Sequence, residues 1–198
     1  MKTAVFGGTF DPVHTGHIRM AQSAIDEFGL DKLIIVPNAN PPHKRNEVNT
    51  DYCHRYNMLC LAFKNMDKVE VSDYESLEDR CYYSLYTMRH FREVYGEDTC
   101  MIIGGDSLLT LHLWYGYEQF IEENKLIVFT RDNDTSLNES IENYRRDGAC
   151  IFKASMPPID VSSTKVRQFL AEGKIDEGAL SAEIIEYIKQ EKLYGGNI

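Results

Sequence analysis

"GGTFDPVHTGH", residues 7–17, decides how the rest of the chain is read. It follows a short β-rich run, "TAVFG" (3–7), and leads into a segment of helical period. Glycines at a strand end let a backbone approach a phosphate closely and present its N–H groups, and the helix that follows adds the favourable end of its dipole. Thr9 brings a hydroxyl, and Asp11-Pro12 is a natural turn former. His14 and His17 are three apart, so a helix that begins near Thr15 holds them close together at its positive end, with Gly16 between them. A tight turn with two surface histidines is the plain alternative, and it suits a lone Gly-Gly or a lone histidine better. The full string favours an anion cradle, because several donors converge at one strand end. His-x-x-His also suits zinc, but no Cys/His pair stands at a supporting spacing, so no metal site is expected.

Outward from this stretch, strand-like runs recur: "KLIIVP" (32–37), "KVEVS" (68–72), "TCMIIG" (99–104), "KLIVFT" (125–130) and "ACIFKA" (149–154). Most are nearly continuous apolar runs, which suits a parallel sheet covered on both faces. Between them lie helical candidates. Residues 17–28 carry Ile18, Ala21, Ile25 and Phe28; 52–64 carry Tyr52, Tyr56, Leu59 and Phe63; 83–95 carry Tyr83, Tyr86, His90 and Val94. Strand and helix in alternation predict right-handed βαβ units and an α/β fold: a doubly wound, Rossmann-like parallel sheet with helices on both faces. Ligands of such sheets bind beyond the carboxyl ends of the strands. That rule selects residues 7–17, 38–44, 105–106, Arg131 and the segment after Ala154. The last part of the chain reads as two helices, the first capped by Ser163 or Thr164 and the second by Ser181. No repeat or Pro/Gly/Ser-rich linker interrupts it, and a single domain over residues 1–198 is expected.

Composition narrows the function classes. With 43% hydrophobic and 26% charged residues the chain is an ordinary soluble globular protein. A formal charge of -10 argues against a general nucleic-acid binder, which needs a basic footprint. A polyanionic ligand must therefore be held by a local cluster of donors. The five cysteines, Cys53, Cys60, Cys81, Cys100 and Cys150, contain no C-x-x-C pair and read as reduced thiols. "MKTAVFGG" has too few apolar residues for a signal-peptide core, and no run approaches the roughly 18 apolar residues of a membrane span. A cytoplasmic protein without membrane or nucleic-acid partners is expected.

Three further stretches sit where the strand-end rule points. "VPNANPPHK" (36–44) is a proline-stiffened loop that ends in Lys44, a point charge suited to phosphate. Alone it reads as a solvated loop. "IIGGDSLLTLHLW" (102–114) places Asp106, an acceptor for ribose hydroxyls, eight residues before Trp114, the only tryptophan. Taken alone, that tryptophan reads as core packing. "VSSTKVR" (161–167) offers hydroxyls at a helix start and Arg167 one turn in, either a cap with a surface arginine or a second phosphate grip.

Together these stretches resemble the HxGH nucleotidyltransferases, and among them the bacterial nicotinate-nucleotide adenylyltransferases, from the first strand to residue 195. The resemblance implies the HxGH type of the doubly wound fold and transfer of the adenylyl group of ATP to nicotinate mononucleotide, giving nicotinate adenine dinucleotide and pyrophosphate. It assigns His14, His17, Lys44 and Arg167 to charge stabilisation at the reacting phosphates. ATP is expected to meet Gly7, Gly8, Thr9, Phe10, Gly104, Asp106, Ser163 and Thr164 as well as His14, His17 and Arg167. The nicotinate side is expected to meet Asn38, Lys44, Thr87, Trp114, the Tyr115 N–H and Arg131. Mg2+ is expected to travel with ATP rather than in a protein cage. The chain departs from the family at "LYTMRH" (85–90), where Arg89 and His90 replace Asp-Thr, and at "RDN" (131–133) in place of Arg-Pro-Gly. "NPPHK" and Trp114 argue against phosphopantetheine adenylyltransferase or a cytidylyltransferase; nicotinamide mononucleotide is a nearer rival substrate. A regulatory nucleotide binder without turnover is the alternative from another class. The twelve tyrosines leave a homo-oligomer open.

Overall fold

The apolar runs become neighbouring strands because their β-branched residues suit a surface buried on both faces. β1 (Thr3–Gly8), β2 (Lys32–Pro37), β3 (Val69–Val71), β4 (Cys100–Gly104), β5 (Lys125–Thr130) and β6 (Cys150–Ser155) form one sheet in the order β3-β2-β1-β4-β5-β6. This is the doubly wound, Rossmann-like order that the alternation predicts. Val5 pairs with Met101, Ile102 with Ile127 and Ile127 with Phe152, all in parallel register. Ala4, Val5, Ile34, Ile35, Ile102, Leu126 and Val128 have no solvent-exposed surface.

The computed structural model describes residues 1–39, 50–76, 82–130, 135–155 and 161–195. Its helices are α1 (Thr15–Phe28), α2 (Tyr52–Phe63), α3 (Ser84–Tyr95), α4 (Gly105–Leu109), α5 (Tyr117–Glu123), α6 (Thr135–Arg146), α7 (Ser163–Ala171) and α8 (Ala182–Gln190). By contacts the chain groups into two units. The first comprises Met1–Gly7, Met20–Ile34 and Tyr82–Pro158; the second comprises Gly8–Arg19, Ile35–Cys81 and Ile159–Ile198. In the first, Ile102, Leu126 and Val128 of the sheet are buried, as are Leu85, Met88 and Phe91 of α3. In the second, α2 packs on β3 and α8, with Met58, Leu59, Phe63, Ile184 and Ile188 buried. That packing is pinned by Tyr187, whose hydroxyl meets His54 Nδ1 at 2.9 Å and accepts from Asn57 Nδ2 at 3.0 Å.

Two expectations need correction. The α3 side expected to pack is the outer one: Tyr86 is 44% and Val94 56% exposed, whereas Leu85, Met88 and Phe91 are buried. Both registers have helical spacing, and that of Leu85, Met88 and Phe91 wins because its burial strands no phenol hydroxyl. The cap of α7 is neither Ser163 nor Thr164 but Ser162, whose hydroxyl accepts from Lys165 N at 3.3 Å. Ser181 caps α8 as expected, accepting from Ile184 N.

Candidate active site

In the second unit, backbone carbonyls of the glycine-rich loop are taken by donors from other segments. Gly8 O accepts from Asn38 N at 2.8 Å and Thr9 O from Arg55 Nη1 at 2.8 Å. Asp11 O accepts from Arg167 Nη1 at 2.7 Å and Pro12 O from Ser163 Oγ at 3.0 Å. A trans peptide holds C=O and N–H antiparallel. The N–H groups of Thr9, Phe10 and Val13 therefore point away from those donors, which is the orientation an anion needs.

Phe10 closes this loop in a left-handed conformation, φ +50°. A bulky residue is strained there, a condition that persists only where its surroundings enforce it. Its buried ring meets His17 edge-on, with centroids 4.9 Å apart. A Cβ at Gly8 would come within 2.9 Å of the same ring, so packing as well as ligand approach requires glycine there.

The loop delivers the chain into α1, which begins at Thr15 as expected. Thr15 N donates to Ala179 O at 2.8 Å and its hydroxyl to Gly178 O at 2.9 Å, which anchors the helix start. The His14 and His17 rings stack, with centroids 3.7 Å apart and planes 22° from parallel. His17 Nδ1 accepts from His14 N at 3.2 Å, so the neutral His17 ring carries its proton on Nε2. His14 is 7% exposed and its Nδ1 has no hydrogen-bond partner. Burial lowers the His14 pKa to about 4, so it is neutral near pH 7. An orphaned buried nitrogen calls for an explanation, and a ligand at the site is one. Gly16 is required by this pair: a Cβ there would lie 2.9 Å from His14 Nδ1 and 3.0 Å from Val161 Cγ1.

The structure thus brings Gly8, Thr9, Phe10, His14, His17, Ser163 and Arg167 into one hydrogen-bonded and packed cluster. Ser163 and Arg167 reach it by holding the loop's carbonyls, while Thr164 is exposed with its hydroxyl 3.5 Å from Arg167 Nη2. Asn38 contributes through its backbone at the end of β2. Three participants were not singled out as site residues in the sequence, where Asp11 stood only as a turn former. Arg55 is 1% exposed on α2. Asp11 is equally buried, and Tyr194 donates its hydroxyl to Asp11 Oδ1 at 2.7 Å. Burial pushes the Tyr194 pKa up and pulls the Arg55 pKa down, the latter opposed by the Asp11 carboxylate. Arg55 was legible in principle, since it shares a helix face with Met58 and Leu59.

The first unit carries Gly7 at the end of β1 and Gly104 at the end of β4. Asp106 stands exposed in the first turn of α4. A Cβ at Gly104 would meet nothing within 4 Å, whereas one at Gly105 would lie 2.5 Å from Leu137 Cδ1. Packing therefore demands the second glycine of the pair, not the first. Trp114 is half-buried, its ring 5.4 Å from that of Phe120. Tyr115 is 51% exposed and stacks on Tyr83 at 4.3 Å, while Tyr86 Oη donates to Tyr115 Oη at 3.3 Å. Thr87 is buried on α3. Arg89, which stands where the resemblance expects aspartate, turns to α5, donating to Glu123 Oε2 at 2.8 Å. Lys44 and Arg131 lie outside the described residues.

Among the described residues, no three His, Cys, Asp or Glu side chains are grouped to hold a metal ion, and Cys53, Cys60, Cys100 and Cys150 are free thiols. No helix among them is long and apolar enough to cross a membrane.

Residues 5–169 match the family model described as cytidylyltransferase-like. A "Probable nicotinate-nucleotide adenylyltransferase" of Clostridium tetani is 38% identical over 200 residues, 98% of each chain. Another so named, from Thermotoga sp., is 36% identical over 194 residues, covering 98% of this chain and 97% of the relative. Among solved structures, the nicotinic acid mononucleotide adenylyltransferase of Plasmodium falciparum, complexed with NaAD, superposes with a TM-score of 0.77. It is 20% identical, and the match covers 100% of this chain and 99% of that one, a likeness of fold.

Proposed function

The chain belongs to the cytidylyltransferase-like family, among its nicotinate-nucleotide adenylyltransferases; on that premise we propose that it transfers the adenylyl group of ATP to nicotinate mononucleotide in NAD biosynthesis. The 5′-phosphate of the mononucleotide attacks the α-phosphorus of ATP in line. A new P–O bond forms, the bond from the α-phosphorus to the bridging oxygen breaks, and pyrophosphate leaves with that electron pair. The attacking phosphate is already an anion, so the reaction needs no general base and no covalent enzyme intermediate. What the protein supplies is alignment and charge stabilisation.

The observation that carries this reading is the stacked His14–His17 pair, with its orphaned His14 Nδ1, at the mouth of a loop whose carbonyls are turned away. His17 donates from Nε2 and His14 from its own ring N–H to phosphate oxygens. Arg167 adds positive charge, and the N–H groups of Gly8, Thr9 and Phe10 cradle the triphosphate. Gly7 and Gly104 allow close approach of the nucleotide, and Asp106 accepts from ribose hydroxyls. Ser163 and Thr164 complete the grip at the α7 start. On the acceptor side we assign Asn38, Thr87, the Trp114 ring and the Tyr115 N–H to the nicotinate nucleotide, with Lys44 and Arg131 retained from the resemblance. Mg2+ enters as part of the MgATP substrate and neutralises charge on the phosphate oxygens. We also propose a single domain, because the boundary between the two units falls inside β1, α1 and β2. The setting is the cytoplasm, where both small-molecule substrates are available.

The test is pyrophosphate release with ATP or CTP as donor and nicotinate mononucleotide, nicotinamide mononucleotide or phosphopantetheine as acceptor. ATP with nicotinate mononucleotide is expected to be preferred, and His17→Ala to lower kcat by roughly 10² to 10³ while remaining folded. Turnover confined to another pair would overturn the substrate assignment. ATP binding without turnover would make the protein a sensor.

A further inference from the structure

The sequence "YCHRYNMLCLAF" of α2 carries one arginine on its buried face. A guanidinium at 1% exposure is stable only if its donors are satisfied. Arg55 donates to backbone carbonyls from each of its three side-chain nitrogens. Its Nε donates to Thr50 O at 3.1 Å, and Nη1 donates to Thr9 O and to Asn38 O, each at 2.8 Å. Nη2 donates to Ala39 O at 3.5 Å. The Asn38–Ala39 peptide is pinned from its other side too, because Ala39 N donates to Glu75 Oε2 at 3.3 Å.

Three of these four carbonyls come from two places that matter to the reaction. Thr9 belongs to the loop that cradles the triphosphate, and Asn38 and Ala39 follow the strand β2, where the acceptor nucleotide is assigned. A rigid planar fork can hold both at once; the point charge of lysine cannot. We propose that Arg55 is a positioning residue for nucleotidyl transfer, tying the Thr9 and Asn38 carbonyls to one guanidinium so that the groups they carry keep the in-line geometry. It touches neither substrate. The proposal rests on the reading given under Proposed function, and it adds a specific cause for alignment.

Arg55→Lys and Arg55→Ala test it, with thermal denaturation to confirm folding, steady-state kinetics, and calorimetric titration with ATP alone. Misalignment of about an ångström costs on the order of 10² in rate, so Arg55→Lys is expected to lose about that in kcat, with the ATP dissociation constant changed less than roughly threefold. Millimolar guanidinium is expected to restore roughly tenfold of the activity of Arg55→Ala, since the cavity left behind has the shape and carbonyls of the lost fork. A folded Arg55→Lys with wild-type kcat overturns the proposal, and so does activity that merely follows the folded fraction. If Arg55→Ala does not fold, Arg55→Lys decides. Should the wild type make no dinucleotide, the substrate reading fails separately. Arg55 is then read from the imidazole NMR signals of His14 and His17 on ATP addition, which are expected to shift in Arg55→Lys; unchanged signals overturn its positioning role.

Discussion

His14 and His17 lie face to face, their ring centroids 3.7 Å apart, and the backbone N–H of the first donates to Nδ1 of the second. Protonating His17 at Nδ1 would remove that acceptor, and protonating His14 would place a charge in a buried site. On the proposed reading, the buried, neutral His14 and its stacked partner are set up as donors whose positive character appears only against a phosphate. That is preorganised electrostatics of the kind that accelerates group transfer without rearrangement at the moment of reaction.

Stability should register the burial of His14. Its folded pKa is about 4 against 6.5 ordinarily, so the unfolded chain takes up the proton first as pH falls. The stabilisation is complete above about pH 6.5 and lost as pH falls through about 4, a total of about 3 kcal/mol. Urea denaturation at pH 7 and pH 4.5 should show a steeper decline for the wild type than for His14→Gln. Parallel declines would place the acid sensitivity elsewhere.

Gly16→Ala pits two effects against each other. Alanine in a helix gains about 1 kcal/mol over glycine. The new methyl, however, meets His14 Nδ1 at 2.9 Å and Val161 Cγ1 at 3.0 Å, and crowding of a packed site costs about 1–3 kcal/mol. Little net change in Tm is expected, together with a loss of roughly 10² in kcat/KM as the imidazole is displaced. Full activity in this variant would mean that the His14 ring has no fixed role.

Tyr194→Phe removes a hydrogen bond to a carboxylate that is 1% exposed. Bonds to charged groups are worth about 1.5–3 kcal/mol, and chemical denaturation should show a loss of that size. Tyr187→Phe, whose hydroxyl meets His54 and Asn57 rather than a carboxylate, serves as the comparison and should cost about 1 kcal/mol.

Trp114→Ala tests the proposed contact with the acceptor. Loss of a stacking face for a heteroaromatic ring is worth about 1–3 kcal/mol, so KM for nicotinate mononucleotide should rise roughly 10- to 100-fold. ATP affinity, measured by titration, should stay near that of the wild type. A matching loss for both ligands would indicate general damage around Phe120.

Legibility in the sequence followed the physics of each element. β2 and β5 are readable to the residue because each is an unbroken apolar run with a charged residue at its start. β6 runs from Cys150 to Ser155, one residue later than read, since hydropathy does not separate Ala149 from Ser155. The string at 7–17 announced two histidines at a helix start, and they are there, stacked. The stretches that became α4, α5 and α6 carry too little periodicity, or too many polar residues, to stand out. Arg55 stayed hidden because a charged residue on a helix reads as its outer face, and only the fold shows that four carbonyls await it. Ser163 and Arg167 were visible as chemistry, but their targets on Asp11 and Pro12 are joined to them by tertiary structure alone.

The donors that orient the glycine-rich loop sit far along the chain: Arg55, then Ser163 and Arg167, with Tyr194 closing on Asp11. During synthesis the loop leaves the ribosome before these donors, and at about 5–20 residues per second Tyr194 follows it roughly 10–40 s later. For that interval the nascent polypeptide has the nucleotide motif without its supports. Competence for ATP should therefore wait for Tyr194 to be made, so that products stalled before it do not sequester the cell's nucleotide.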